Sequence, residues 1–253
     1  MTGMTATPAS VASKLPETLV LWDVDHTLIE NGGVSKATYA LAFEMLTGQA
    51  PSIRPATDGR TDILIMHELL EANSIDPSGY SDAELLTDLL VKAMKKTSPD
   101  LPRLGHVLPG VVEALDVLSG APAVIQSVLT GNIVPNAHAK LDAFDLGSWF
   151  DLEVGGFGSD DIVRSKLVDA ARRKVANKYG KEFDRSSTIL IGDTVRDVQA
   201  AHDGGAKVIA VATGVYSVEQ LEAANANVVL ENLADLELFV TALSKLRAAP
   251  VAA

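Results

Sequence analysis

The residues best suited to chemistry stand at the ends of apolar runs. Leu19-Val20-Leu21-Trp22 leads directly into Asp23-Val24-Asp25-His26-Thr27. Side chains two apart in extended backbone leave on the same side, so Asp23 and Asp25 face one another's neighbourhood. Two carboxylates at close quarters repel, and they are stable together only with a cation or a shared proton between them. A second run, Ala123-Val124-Ile125-Gln126-Ser127-Val128-Leu129, ends in Thr130-Gly131-Asn132. A third, Ser187-Thr188-Ile189-Leu190-Ile191, ends in Gly192-Asp193, with Asp197 soon after. The competing reading of each is plain: a buried strand followed by a polar turn.

Residue type suggests a division of labour. Asp23 is a carboxylate nucleophile that can form an aspartyl-phosphate. Asp25 is placed to protonate a leaving oxygen and then deprotonate water. Asp193 adds a third carboxylate, and acidic oxygen clusters suit Mg²⁺. Thr130 offers a hydroxyl, and the backbone N–H groups of Gly131 and Asn132, at the opening of a helix, favour an anion. Phosphoryl transfer is mostly positioning and charge stabilisation, so a cation should complete the cradle. Arg164 and Lys166 are the candidates, with Arg164 favoured. It is expected in the loop before a helix capped by Ser165, and Lys166 in that helix's first turn.

For these groups to meet, the runs must be parallel strands whose carboxyl ends share one rim, where open α/β sheets bind ligands. The rest of the chain supports that arrangement. From about residue 105 apolar runs alternate with helical patterns: helices near Val111–Leu118, 165–179, Val195–Asp203, Val218–Ala224 and Leu233–Leu246, and strands at Phe150–Val154, Lys207–Val211 and Val228–Leu230. This rhythm predicts an α/β fold with a mostly parallel sheet covered on both faces. Residues 34–100 break the rhythm, with helical spacing over Lys36–Leu46 (Ser35 as N-cap), Asp58–Ala72 and a stretch opened by a capping box at Ser81-Asp82-Ala83-Glu84.

The set Asp23-Val24-Asp25-His26-Thr27, Leu129-Thr130-Gly131-Asn132, Arg164/Lys166 and Gly192-Asp193-Thr194-Val195-Arg196-Asp197 resembles the four motifs of the haloacid dehalogenase (HAD) superfamily, over roughly residues 18–240. The resemblance implies a Rossmann-like core, an aspartyl-phosphate on Asp23 and a required Mg²⁺. It implies that Asp25 is acid and base and ligates the metal through its backbone carbonyl, that Asp193 ligates directly, and that Asp197 is a ligand or lies just behind one. An Asp at position 25 favours phosphate esters over the dehalogenase and phosphonatase chemistries. The helical block resembles the inserted cap of the phosphoglycolate phosphatase-like branch, and Gly59-Arg60-Thr61-Asp62 a cap segment facing the active site. Arg60 would then meet a substrate carboxylate or phosphate. The third motif departs from the family pattern, having no Pro after its cation.

The expected layout is a leader at 1–17, a core of 18–33 and 105–246, a helical cap at 34–104 and a tail at 247–253. The expected function is a Mg²⁺-dependent phosphatase acting on a small phosphorylated metabolite, with a phosphomutase of the same branch or a catalytically silent binding protein as alternatives. Composition agrees. The 253 residues are 47% apolar and 21% charged, as in a soluble domain. A net charge of −12 argues against nucleic acid or an anionic membrane as partner. No apolar run is long enough to span a membrane, and the start of the chain does not read as a signal peptide, so a cytoplasmic location is expected. With no cysteine, thiolate sites and disulfides are excluded. Trp22 and Trp149 read as core. His26 reads as a rim residue, and His67-Glu68 lacks the second His of a zinc motif.

Overall fold

A computed structural model describes residues 17–80, 82–121 and 123–248. In chain order its elements are β1 (Thr18–Trp22), β2 (Ile29–Glu30), α1 (Val34–Thr47), α2 (Asp62–Ala72), α3 (Ala83–Thr97), the single turn α4 (Leu101–Leu104), β3 (His106–Val107), α5 (Val111–Ser119), β4 (Val124–Thr130) and α6 (Val134–Asp142). They continue with β5 (Gly156–Phe157), α7 (Arg164–Tyr179), β6 (Thr188–Gly192), α8 (Val195–Asp203), β7 (Lys207–Val211), α9 (Val218–Ala223), β8 (Val228–Leu230) and α10 (Leu236–Ala248).

Among the described residues one sheet has the order β5-β4-β1-β6-β7-β8. Every pairing in it is parallel. The centre of that order is β1, all five of whose residues are buried. Alternation along it feeds two cores. Val20 and Trp22 join one with Val128, Ile191 and Phe239, and Leu19 and Leu21 join the other with Leu129, Leu190 and Val208. Trp22 is wholly buried, its ring 5.8 Å from that of Phe239. Register places Trp22 beside Val128 and Ile191, so β1, β4 and β6 end at the same level.

The block between β2 and β3 is helical and has its own apolar cluster, including Tyr39, Phe43, Met66, Leu70, Leu86 and Leu90. Ile133, from the loop after β4, is buried in that cluster and ties the block to the sheet. At its base β2 and β3 pair antiparallel, two residues each, a ribbon too short to leave a pattern in the sequence.

Several local expectations need correction. The expected strand at Phe150–Val154 is a turn of 3₁₀ helix at Leu152–Val154, and β5 follows it. Glycine decides this: a Cβ on Gly156 would lie 2.4 Å from the Leu167 carbonyl oxygen, so the strand passes where only glycine fits. Helix α1 begins after Gly33 in a left-handed conformation, leaving Ser35 inside its first turn. Helix α2 begins at Asp62 rather than Asp58, because Gly59 at φ +65° turns the chain first. Asp82 caps α3 by accepting from the Glu84 and Leu85 N–H groups, while Ser81 lies outside the described residues. The expected leader at 1–17 also lies outside them, save Glu17. The expected tail starts late, since α10 runs on to Ala248.

Candidate active site

The carboxyl ends of β1, β4 and β6 meet at a small cleft. Its lining includes Asp23, Asp25, Thr130, Gly131, Asn132, Arg164 and Asp193 from the sheet side, and Tyr39, Asp58, Arg60 and Asp62 from the helical block. Segment 57–62 sits tightly on the rim. A Cβ on Gly131 would lie 1.9 Å from the Arg60 carbonyl oxygen, and one on Gly59 2.6 Å from Thr194 Oγ1. The Asp62 N–H donates to the Gly131 carbonyl at 2.8 Å.

Asp23 continues the ladder of β1, its N–H donating to the Ile191 carbonyl. Its carboxylate lies 2.9 Å from Arg164 Nη2. Burial raises its pKa to about 6, against the pull of Arg164 and with repulsion from Asp197 and Asp25. Asp193 is buried, with Thr27 Oγ1 donating to it at 3.3 Å. Burial, then repulsion by Asp197 and Asp23, pushes its pKa well up. Gly214 makes room for it, since a Cβ there would lie 1.8 Å from Asp193 Oδ2.

Asp197 is fully buried and engaged at both oxygens. Oδ2 accepts from the Thr194 N–H and hydroxyl in a capping box on α8. Oδ1 accepts from Arg164 Nε at 2.9 Å and Nη2 at 2.6 Å. Expected as a metal ligand or as a residue just behind one, Asp197 anchors the arginine here. Arg164 is at the first position of α7, after Val163 at the N-cap, rather than in a loop before a Ser165 cap. A cation at a helix N-terminus is disfavoured by the dipole, and two buried carboxylates offset that. Burial alone would lower its pKa, but Asp197 and Asp23 raise it, so it is fully charged. Lys166, one turn edge further, is 63% exposed and 3.5 Å from Asp161, outside the cleft. Arg164 is therefore the cation that meets Asp23.

Asp25 stands opposite, partly open to the cleft and surrounded by donors. Oδ1 accepts from Asn31 Nδ2 at 2.8 Å and Ser35 Oγ at 3.3 Å. Oδ2 accepts from Asn132 Nδ2 at 2.9 Å and Lys140 Nζ at 2.6 Å. Burial would raise its pKa, but the Lys140 charge and the bonds from Asn132 and Lys140 outweigh it and hold the group at about 2. The phosphate cradle also differs from expectation. The Asn132 N–H donates to Thr130 Oγ1, the Ile133 N–H to Asp62 Oδ2 and the Val134 N–H to Ser159. Asn132 thus contributes its side chain to the site rather than its N–H. Arg60 lines the cleft, but its Nε lies 2.6 Å from Glu68, so a substrate anion would have to compete for it.

Asp23, Asp193 and Asp197 each offer an oxygen within 4.8 Å of the others, all buried. Among the described residues, Arg164 is the guanidinium that pairs with Asp23 and Asp197 in this cluster. A buried excess of negative charge on oxygen donors is the environment that fits a hard divalent cation. Asp197 shares its oxygens with Thr194 and Arg164 as well.

These features define a class: an α/β hydrolase with a carboxylate at the central strand end, a cation-hungry acid cluster and a helical roof. Residues 163–236 match the family model described as HAD-hydrolase-like. The chain is 32% identical over 147 residues to the probable phosphatase IndB of Dickeya dadantii, covering 58% of this chain and 61% of that one. It is 27% identical over 238 residues to phosphoglycolate phosphatase 1 of Pseudomonas aeruginosa, covering 92% and 83%. The fold matches a hydrolase from Pseudomonas syringae with TM-score 0.62 at 22% identity, covering 88% of this chain and 97% of that one. It also matches CbbY from Rhodobacter sphaeroides in complex with phosphate, with TM-score 0.63 at 18% identity, covering 88% and 96%. The chain is thus HAD-hydrolase-like over residues 163–236 and similar along most of its length to phosphoglycolate phosphatases. No helix among the described residues is long and apolar enough to cross a membrane.

Proposed function

We propose that the protein is a Mg²⁺-dependent phosphatase of a small phosphorylated metabolite, working through an aspartyl-phosphate on Asp23. The observation that carries this reading is the pairing of unlike carboxylates in one small cleft. Asp23 lies in a cation-deficient cluster beside Arg164, and Asp25 is held apart by its own donors. Environments that separate two acids in this way divide nucleophile from acid–base.

Asp23, Asp193 and the Asp25 backbone carbonyl would hold the metal, which supplies charge neutralisation at the phosphoryl oxygens and at Asp23. Arg164 is positioned by Asp197 to steady Asp23 and to meet the phosphoryl group. In the first step an Asp23 carboxylate oxygen bonds to phosphorus, the bond from phosphorus to the ester oxygen breaks, and Asp25 gives that oxygen a proton. Asp25 stands as a carboxylate before substrate arrives. A phosphoryl anion beside it raises its proton affinity toward the acid form that this step needs. In the second step the Asp25 carboxylate takes a proton from water, the water oxygen bonds to phosphorus, and the bond from phosphorus to Asp23 breaks, releasing phosphate. Segment 57–62 roofs the site and limits water and bulk, which favours a small substrate.

The curated relatives named as phosphoglycolate phosphatases make that ester a natural first probe. Its carboxylate would draw Arg60 away from Glu68. The test is phosphate release from a panel of small phosphomonoesters, with and without Mg²⁺, for wild type and Asp23→Asn. Metal-dependent release abolished in Asp23→Asn is expected. Release that survives the substitution would refute the assignment of the nucleophile, and no release from a folded protein would refute the phosphatase reading.

A further inference from the structure

Lys140 does not belong to the motifs that drew attention to the site. It lies on α6, eight residues beyond Asn132, with 1% of its side chain exposed. A lysine is almost never fully buried without partners, and this one has two: Asp25 Oδ2 and Asn132 Oδ1, both at 2.6 Å from Nζ. Asn132 turns its amide nitrogen the other way, to Asp25 Oδ2 at 2.9 Å and Thr130 Oγ1 at 2.6 Å. Lysine, asparagine and aspartate thus close a ring of bonds linking the end of β1 to the end of β4. Ion pairs at this distance and burial bind firmly to a single geometry. Asn31 and Ser35 hold the other Asp25 oxygen, so no rotation of that carboxylate is possible without breaking bonds.

The geometry points to Lys140 as the positioning residue of the acid–base group: through Asp25 Oδ2 and Asn132 Oδ1 it fixes the Asp25 carboxylate against Asp23. Lys140 is absent from the cleft lining, and its bonds go to Asp25 and Asn132. Its effect on the proton transfer passes through Asp25, and the inference rests on the proposed phosphatase chemistry only for its kinetic form. When Asp23 forms its bond to phosphorus, the departing alkoxide needs a proton from Asp25. A nitrophenolate does not, because it leaves as a stable anion. Displacing Asp25 therefore harms the first kind of ester far more than the second.

The experiment compares kcat/KM for an alkyl phosphate and for p-nitrophenyl phosphate, which reports formation of the Asp23–phosphorus bond. General acid catalysis is worth about 10²-fold or more. Lys140→Met is expected to lose on the order of 10²-fold on the alkyl ester and less than about tenfold on the aryl ester. Adding Lys140→Met to Asp25→Asn is expected to cost the aryl reaction less than about twofold, since the group it positions is already gone. Equal losses on both esters, or a further large loss in the Asp25→Asn background, would overturn the assignment and mark Lys140 as structural. Thermal melting gives a reading that needs no activity. Lys140→Met should lower the Tm by stranding Asp25, and Asp25→Asn with Lys140→Met should recover it, whereas additive losses would refute the coupling. A wild type that turns over neither ester would refute the phosphatase reading and leave the melting cycle to decide on Lys140.

Discussion

Asp62 is buried at the junction of the helical block and the sheet, where its charge is costly. Tyr39 Oη donates to its Oδ1 at 2.5 Å and the Ile133 N–H to its Oδ2 at 2.9 Å. Burial nevertheless raises its pKa from 3.8 to about 6, against the lowering effects of Lys140 and these two bonds. A rise of that size amounts to about 3 kcal/mol of stability forgone once the group is ionised. The sign follows from linkage: the folded state holds the proton more tightly than the unfolded one. The contribution is therefore fully present below pH 3.8 and is lost as pH rises through about 6. Asp62→Asn removes the charge. Its carbonyl can accept from Ile133 while its amide donates to Tyr39, with rearrangement costing about 1 kcal/mol. At pH 8 the variant should be more stable than wild type by about 1–3 kcal/mol, roughly 2–10 °C in Tm for a chain of this size. At pH 4 that advantage should vanish. Urea unfolding of both proteins in EDTA at pH 4, 6 and 8 reads the difference directly, and other titrating groups cancel in it. An Asp62→Asn protein less stable than wild type at pH 8, or a difference that does not change with pH, would refute the reasoning.

Other perturbations test the site itself. Mg²⁺ should raise the Tm of wild type and not of Asp193→Asn. The rise should fade on acidification, because Asp23 and Asp193, whose pKa values burial raises, must lose their protons to bind. Arg164→Met strands Asp23 and Asp197 in the interior and should cost about 3–5 kcal/mol in urea without metal, part of which added Mg²⁺ should restore. Gly214→Ala places a methyl group against Asp193, 1.8 Å from Oδ2. It should abolish Mg²⁺-dependent turnover and the Mg²⁺-induced shift in Tm together. Lys166→Ala, by contrast, should leave kcat/KM within about twofold of wild type, since an exposed surface pair contributes about 0–1 kcal/mol.

The chemistry was most legible where it coincided with the period of a strand. Continuous apolar runs ending in Asp23, Thr130 and Asp193 are what a parallel sheet buried on both faces requires. The sheet then does what any such sheet does, bringing those ends to one rim. Charges whose partners lie far along the chain were harder to read. Asp197 and Arg164 are 33 residues apart, and nothing local says that the arginine will take an oxygen the metal might have used. Ser35, expected as an N-cap, is drawn instead into a tertiary bond with Asp25.

Lys140 is the instructive omission, because a signal for it was present. Helix α6 buries Asn136, Ala137, Lys140 and Leu141, a single stripe at helical spacing. Attention to the apolar members of such a stripe alone passes over a cation placed between them. A lysine at an inward position must find an anion or lose its charge. The nearest acids offered by the topology are those at the end of β1, so its presence on that face is already a statement about Asp25. The same logic separates the two candidate cations of the third motif. Arg164 and Lys166 are two residues apart on α7, and such residues do not share a helix face. One of them had to point inward and the other to solvent. The planar guanidinium, able to bridge Asp23 and Asp197 at once, is the one the interior keeps.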